Sequence, residues 1–171
     1  MSSSKTGNKL TKKLEKFFLL LMLVPLVYMA NSWFQSKKFK DSPLPSAVQT
    51  RIQERETQVV NLIRQKFNVR VDNIPLIVSD EFSSRLYGLT AYKEGEIAIY
   101  LNKKRFKESE NYMIEEVIPH EYAHAMVFIL GEKTSEDGHT ALWQKICKEL
   151  DGKLCERYVD GEEIIRQKMN F

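Results

Sequence analysis

Hydrophobic and polar positions divide the chain into two unequal parts. Residues 17 to 34 carry no charge, and the first fourteen of them read FFLLLMLVPLVYMA. Such a run sits at the lower end of what crosses a bilayer as one helix. Trp33 and Phe34 stand where interfacial aromatic residues occur. A cleaved secretory signal shares this pattern, and the small residues Ala30 and Ser32 suit cleavage after Ser32. Tyr28 disfavours a site after Ala30, and an uncleaved anchor is the favoured reading. Pro25 is tolerable in either case.

Beyond residue 40 the pattern changes to short periodic segments. Asp41-Ser42-Pro43-Leu44-Pro45 closes a tether over 35–45. Ser46-Ala47-Val48-Gln49 matches a capping box, with Ser46 as N-cap and Gln49 at N3. Val48, Ile52, Val59, Ile63 and Phe67 then recur at helical spacing and predict a core-facing stripe to about residue 67. Ile74 to Val78 reads as a short strand. Tyr87 to Tyr92 and Glu96 to Leu101 alternate on either side of Lys93-Glu94-Gly95, which predicts a hairpin. Asn111 to Leu130 is a strongly apolar helix stopped by Gly131. A polar loop follows from Glu132 to Gly138, and His139 to Leu150 forms another helix. This order implies an α+β domain over 46–171, with a small antiparallel or mixed sheet. A doubly wound parallel sheet would need more strand–helix alternation.

Charge sharpens the division. The net +3 of the 171 residues conceals eight Lys against one Glu within 1–40, a surplus of +7, and a balance of −4 beyond. The basic character therefore belongs to the N-terminal tail, 1–16, and to Lys37, Lys38 and Lys40. Five Lys before the apolar run outweigh these three after it, so the N-terminus is expected inside and the domain outside the cytoplasm. A mildly acidic domain is poorly suited to extensive DNA-backbone contact. Its one basic cluster, Lys103-Lys104-Arg105-Lys107, reads as a solvated turn or helix start. Cys147 and Cys155 stand eight apart without a C-x-x-C partner, which argues against a zinc knuckle; they could pair in an oxidising space, and two free buried thiols are the default expectation.

The chemistry concentrates in all three histidines of the chain. His120-Glu121-Tyr122-Ala123-His124 reads H-E-x-x-H, and His139 follows in Asp137-Gly138-His139. On a helix, i and i+4 share one face, so His120 and His124 can reach one ion. His139 supplies a third imidazole, and Glu121 the carboxylate base that a zinc-activated water needs. A closed structural zinc site would want a Cys or a fourth His, and none stands nearby. Glu149 is a weaker alternative as third ligand. Glu115 or Glu116 is a candidate to orient His120, Tyr92, Arg157 and Tyr158 to stabilise an oxyanion, and Trp143 to pack beside the metal. The hairpin, whose strand Glu96 to Leu101 lies close to the motif in sequence, could receive an extended substrate at its edge.

Ile118-Pro119-His120-Glu121-Tyr122-Ala123-His124-Ala125, with Gly138-His139-Thr140-Ala141-Leu142-Trp143, resembles the SprT-like (Spartan-type) zinc metallopeptidases. Their pattern is P-H-E-x-x-H followed by G-H-x-x-x-W, and Glu96 to Asn102 is similar to their strand ending in Leu-Asn. The resemblance covers roughly 46 to 160. Thr140 departs from the Gly often found after the third His, and the family's four-Cys zinc ribbon has no counterpart here. The resemblance implies a zincin-like domain binding Zn2+ through His120, His124 and His139. Together with the apolar run it predicts a membrane-tethered endopeptidase acting on protein or peptide substrates. The alternatives are a DNA-associated protease of the same family and a non-catalytic metal-binding scaffold.

Overall fold

The computed structural model describes residues 4–81, 86–132 and 138–156. The chain separates into two units, 1–43 and 44–171. In the first, the apolar run lies within one helix, α1 (Ser4–Asp41), which has Pro25 inside it. An apolar stretch is best served by a helix, because every backbone donor then finds its acceptor within the segment. Within Lys12–Asp41 an 18-residue window has a mean hydropathy of 1.8, so the helix is long and apolar enough to cross a membrane. Its large side chains, among them Leu20, Met22, Val27 and Trp33, are exposed. The helix also takes in most of the expected tether, which is helical as far as Asp41.

The second unit begins with α2 (Ser46–Phe67), whose buried side chains include Val48, Ile52, Val59 and Ile63, the stripe read from the spacing. The capping box does not form. Pro45 occupies the N-cap place and offers no N–H for a side chain at N3 to meet. The Gln49 amide donates instead to the Leu44 carbonyl at 2.6 Å. At the other end Asn68 turns into the left-handed region (φ 54) and its N–H closes on Arg64 O.

Three strands follow: β1 (Leu76–Ser79), β2 (Gly88–Lys93) and β3 (Glu96–Asn102). The hairpin forms where expected, and its two turn residues, Glu94 (φ 55) and Gly95 (φ 92), both have positive φ. That conformation matches the twist of the flanking strands. The sheet order is β1-β3-β2, with β3 parallel to β1 and antiparallel to β2. The strand Glu96 to Leu101 is therefore central, and β2 is the edge strand of the hairpin. Asn102 ends β3 fully buried. Its amide donates to Leu86 O at 2.6 Å while its Oδ1 accepts from Lys104 N, capping α3 (Lys103–Tyr112). The basic cluster thus opens a helix, with Lys103 buried and Arg105 over the Tyr87 ring.

The long apolar helix expected over 111–130 is broken. A π-helical turn, Met113–Val117, joins α3 to α4 (Ile118–Ile129). Pro119 supplies the reason: it has no N–H for the carbonyl of Glu115 four residues earlier, and its ring crowds that carbonyl. Arg55 Nη2 meets the released Glu115 oxygen at 3.2 Å and also reaches Asp151 O. Helix α4 then packs against β2, β3, α2 and α5 (Ala141–Glu149). Ile99, Leu101, Ile118, Tyr122, Met126, Trp143, Ile146 and Leu150 fill the core between them. Burying each such side chain contributes about 1.5–3 kcal/mol, so the helix bearing the candidate site is among the best-anchored elements.

Cys147 and Cys155 are paired in a disulfide, which corrects the expectation of two free thiols. The chain doubles back after α5 at Asp151 (φ 60), and Gly152 N donates to Cys147 O at 3.0 Å. A Cβ at Gly152 would stand 2.8 Å from the Cys147 sulfur, so only glycine fits beneath the bridge. Glu116, buried in the π-turn, accepts from the N–H groups of Lys153 and Leu154 at 2.8 and 2.9 Å. It therefore ties the bridged segment to the start of the histidine helix.

Candidate metal and catalytic centre

Helix α4 presents His120 and His124 one turn apart, as the i and i+4 spacing requires. Gly138, in the left-handed region (φ 72), brings His139 over them. A Cβ there would come within 3.2 Å of His124 Cε1, so the turn needs glycine for space as well as conformation. The three imidazoles converge. His124 Nε2 and His139 Nε2 each lie 3.3 Å from His120 Nε2. All three ligand atoms fall within 4.8 Å of one another. Tetrahedral zinc–nitrogen bonds of about 2.0–2.1 Å would space ligand nitrogens about 3.3–3.4 Å apart. The donor set fits such an ion.

Trp143 forms the wall behind the cluster. Its ring centroid lies 4.7, 5.2 and 4.4 Å from those of His120, His124 and His139. The indole N–H donates to the His120 carbonyl at 3.3 Å. Thr140 caps α5 by accepting from Trp143 N, which fixes the residue that follows His139 at the helix entrance. On the opposite face Tyr122 donates to Glu56 at 3.0 Å and so fastens α4 to α2.

Burial and the neighbouring imidazoles lower His120 to about 3, and the same causes lower His124 to about 4. Both rings are therefore neutral at physiological pH and offer lone pairs, the form a metal needs. Glu121 is buried, and its carboxyl is raised to about 7, chiefly by desolvation, with hydrogen bonds from Thr90 opposing the rise. In metal-free protein these shifts oppose one another. Below about pH 6.5 the unfolded chain protonates both histidines before the folded one does, while Glu121 offsets only one of those protons above about pH 4.5. The urea midpoint of chelator-treated protein is thus expected to be level above about pH 7 and to fall steadily from there toward pH 4. A midpoint that rises on acidification would contradict the buried neutral cluster.

Glu121 lies against β2. The Thr90 hydroxyl stands 2.8 Å from Glu121 Oε2 and 2.8 Å from its main-chain oxygen. Neither Thr90 nor Gly88 stood out in the sequence, because their role depends on how β2 registers against α4. Other expected participants lie apart. Glu115 pairs with Arg55, and Glu116 holds the segment after α5, so neither orients His120. Glu149 pairs with Lys66 at 2.8 Å and does not join the ligands. Tyr92 is exposed and stacks on Phe128, with centroids 5.4 Å apart. Arg157 and Tyr158 lie outside the described residues.

No curated protein and no solved structure matches the chain. A family model described as the SprT-like family matches residues 53–161, a span holding the three histidines, Glu121, Thr90 and both cysteines. With that match over more than half of its length, the chain belongs to the SprT-like family.

Proposed function

We propose that this protein is a membrane-tethered zinc endopeptidase. The observation that carries the reading is the convergence of three imidazoles, from His120, His124 and His139, beside the buried carboxyl of Glu121. A zinc ion held by these imidazoles would polarise a peptide carbonyl and acidify a water molecule. Glu121 then takes the proton from the attacking water at a carboxylate oxygen and passes it to the leaving nitrogen as the C–N bond breaks. Trp143 excludes water from behind the imidazoles and fixes their faces. The edge of β2, which among the described residues pairs with β3 alone, runs past Glu121 and supports docking of an extended peptide as an added strand. Hydrolysis of casein by the zinc-loaded full chain, abolished in Glu121→Gln, tests the reading; an inactive wild type would favour a metal-binding scaffold.

Two observations support an extracytoplasmic domain on a single membrane-crossing helix. The five Lys ahead of the apolar run favour an inside N-terminus, and the Cys147–Cys155 bridge suits an oxidising compartment. Full-length protein taken from membranes and denatured without reductant is expected to react with no maleimide, and to take up two after reduction. Two reactive thiols before reduction would place the domain on the reducing side. The buried Lys103 and the stacking of Arg105 on Tyr87 leave the one basic cluster of the domain ill-suited to DNA.

A further inference from the structure

The free edge of β2 and the carboxyl of Glu121 meet at a single residue. Ile99, central in β3, donates its N–H to Pro75 O on the β1 side. Thr90 faces Ile99 across the hairpin, so it occupies a pair without mutual hydrogen bonds and turns its own N–H toward the open edge. That N–H and the Thr90 hydroxyl both bond to the Glu121 carboxyl. Two residues along the same face, Gly88 leaves the space the carboxyl fills: a Cβ there would stand 2.6 Å from Glu121 Oε1. One wall of this slot therefore donates hydrogen bonds, and the other is bare backbone.

We propose that Thr90 is the positioning residue for the general base, an inference resting on the peptidase reading of Glu121. A glutamate side chain has three rotatable bonds, and a base displaced by about 1 Å loses much of its effect. Thr90 removes that freedom from a strand, independently of the helix that carries Glu121. Its hydroxyl is both donor and acceptor, so it meets a carboxylate as donor and a carboxylic acid as acceptor while its own proton turns to the Glu121 carbonyl. Thr90 needs no contact with substrate or metal for this role.

The test uses the full chain in detergent, loaded with zinc, as wild type, Thr90→Val, Thr90→Ser, Glu121→Ala and the Thr90→Val/Glu121→Ala double variant. Valine keeps the shape of threonine and loses the hydroxyl; serine keeps the hydroxyl. On a fluorogenic casein-type peptide, Thr90→Val is expected to lose about 10–100-fold in kcat, the range for residues that orient a catalytic group. Its KM and zinc content stay at the wild-type values, and Thr90→Ser retains most of the activity. A second readout needs no turnover: the drop in Tm caused by Thr90→Val should shrink in the Glu121→Ala background, because of the two Glu121 oxygens that the hydroxyl meets only the main-chain one remains. Full kcat in Thr90→Val, equal losses in the valine and serine variants, or additive Tm shifts would each overturn the role of Thr90. An inactive wild type overturns the peptidase reading instead, and the Tm cycle still shows whether Thr90 holds the Glu121 carboxyl.

Discussion

Glu121→Gln is expected to lower kcat for casein hydrolysis by about 10²–10⁴-fold, the usual contribution of a positioned general base, while the bound zinc remains near one per chain. Glutamine matches glutamate in shape and still fills the slot between Thr90 and Gly88. What it loses is the capacity to take a proton from water and return it to the amine. The three imidazoles lie on other positions and should keep their ion. Metal analysis beside a peptidase assay on the same preparation checks both halves. Activity near that of wild type would remove Glu121 from the mechanism, and loss of zinc would show that the carboxylate helps hold the ion.

His139→Ala is expected to have the other large effect, on the metal itself. The H-E-x-x-H pair alone leaves two nitrogens on one helix face, and two imidazoles do not close a zinc site that needs about three protein ligands. Zinc affinity should fall by at least about a hundredfold, with hydrolysis falling alongside it; loss of a group that only orients a ligand already costs about 10–100-fold. The fold should survive, because Trp143, Ile146 and Leu150 anchor α5 without help from His139. Glu149→Ala serves as the control, since Glu149 sits in an ion pair with Lys66 and should leave metal content unchanged. Competition against a calibrated chelator measures both variants. Wild-type affinity in His139→Ala would return the third position to another donor.

Much of the candidate site is legible in the sequence. H-E-x-x-H is a local pattern, and helical geometry alone carries it from sequence to shared face. The third histidine was legible because no other imidazole remained, and Trp143 because it follows one turn later. The failures also have physical causes. The break in the histidine helix follows from Pro119, but its cost is met by Arg55, about sixty positions earlier in the chain. The partnership of Cys147 with Cys155 depends on the left-handed turn at Asp151, which spacing alone does not reveal. Proximity in sequence makes Glu115 or Glu116 a candidate to orient His120, yet in the π-turn Glu116 meets Lys153 and Leu154.

The division between the two sources of information follows from the range of the forces involved. By itself the sequence determined the apolar helix, the α2 stripe, the hairpin with its Glu94-Gly95 turn, and the identities of the three imidazoles and the carboxylate. Each depends on interactions within a few residues, where periodicity and backbone preference act directly. Only the tertiary structure decided that β3 is central and β2 an edge strand. A parallel partner such as β1 is recruited from about twenty residues away, and alternation within a strand does not report its neighbours. The same packing set Thr90 and Gly88 around Glu121, because a hydrogen bond between an edge strand and a helix exists only once both rest on one core.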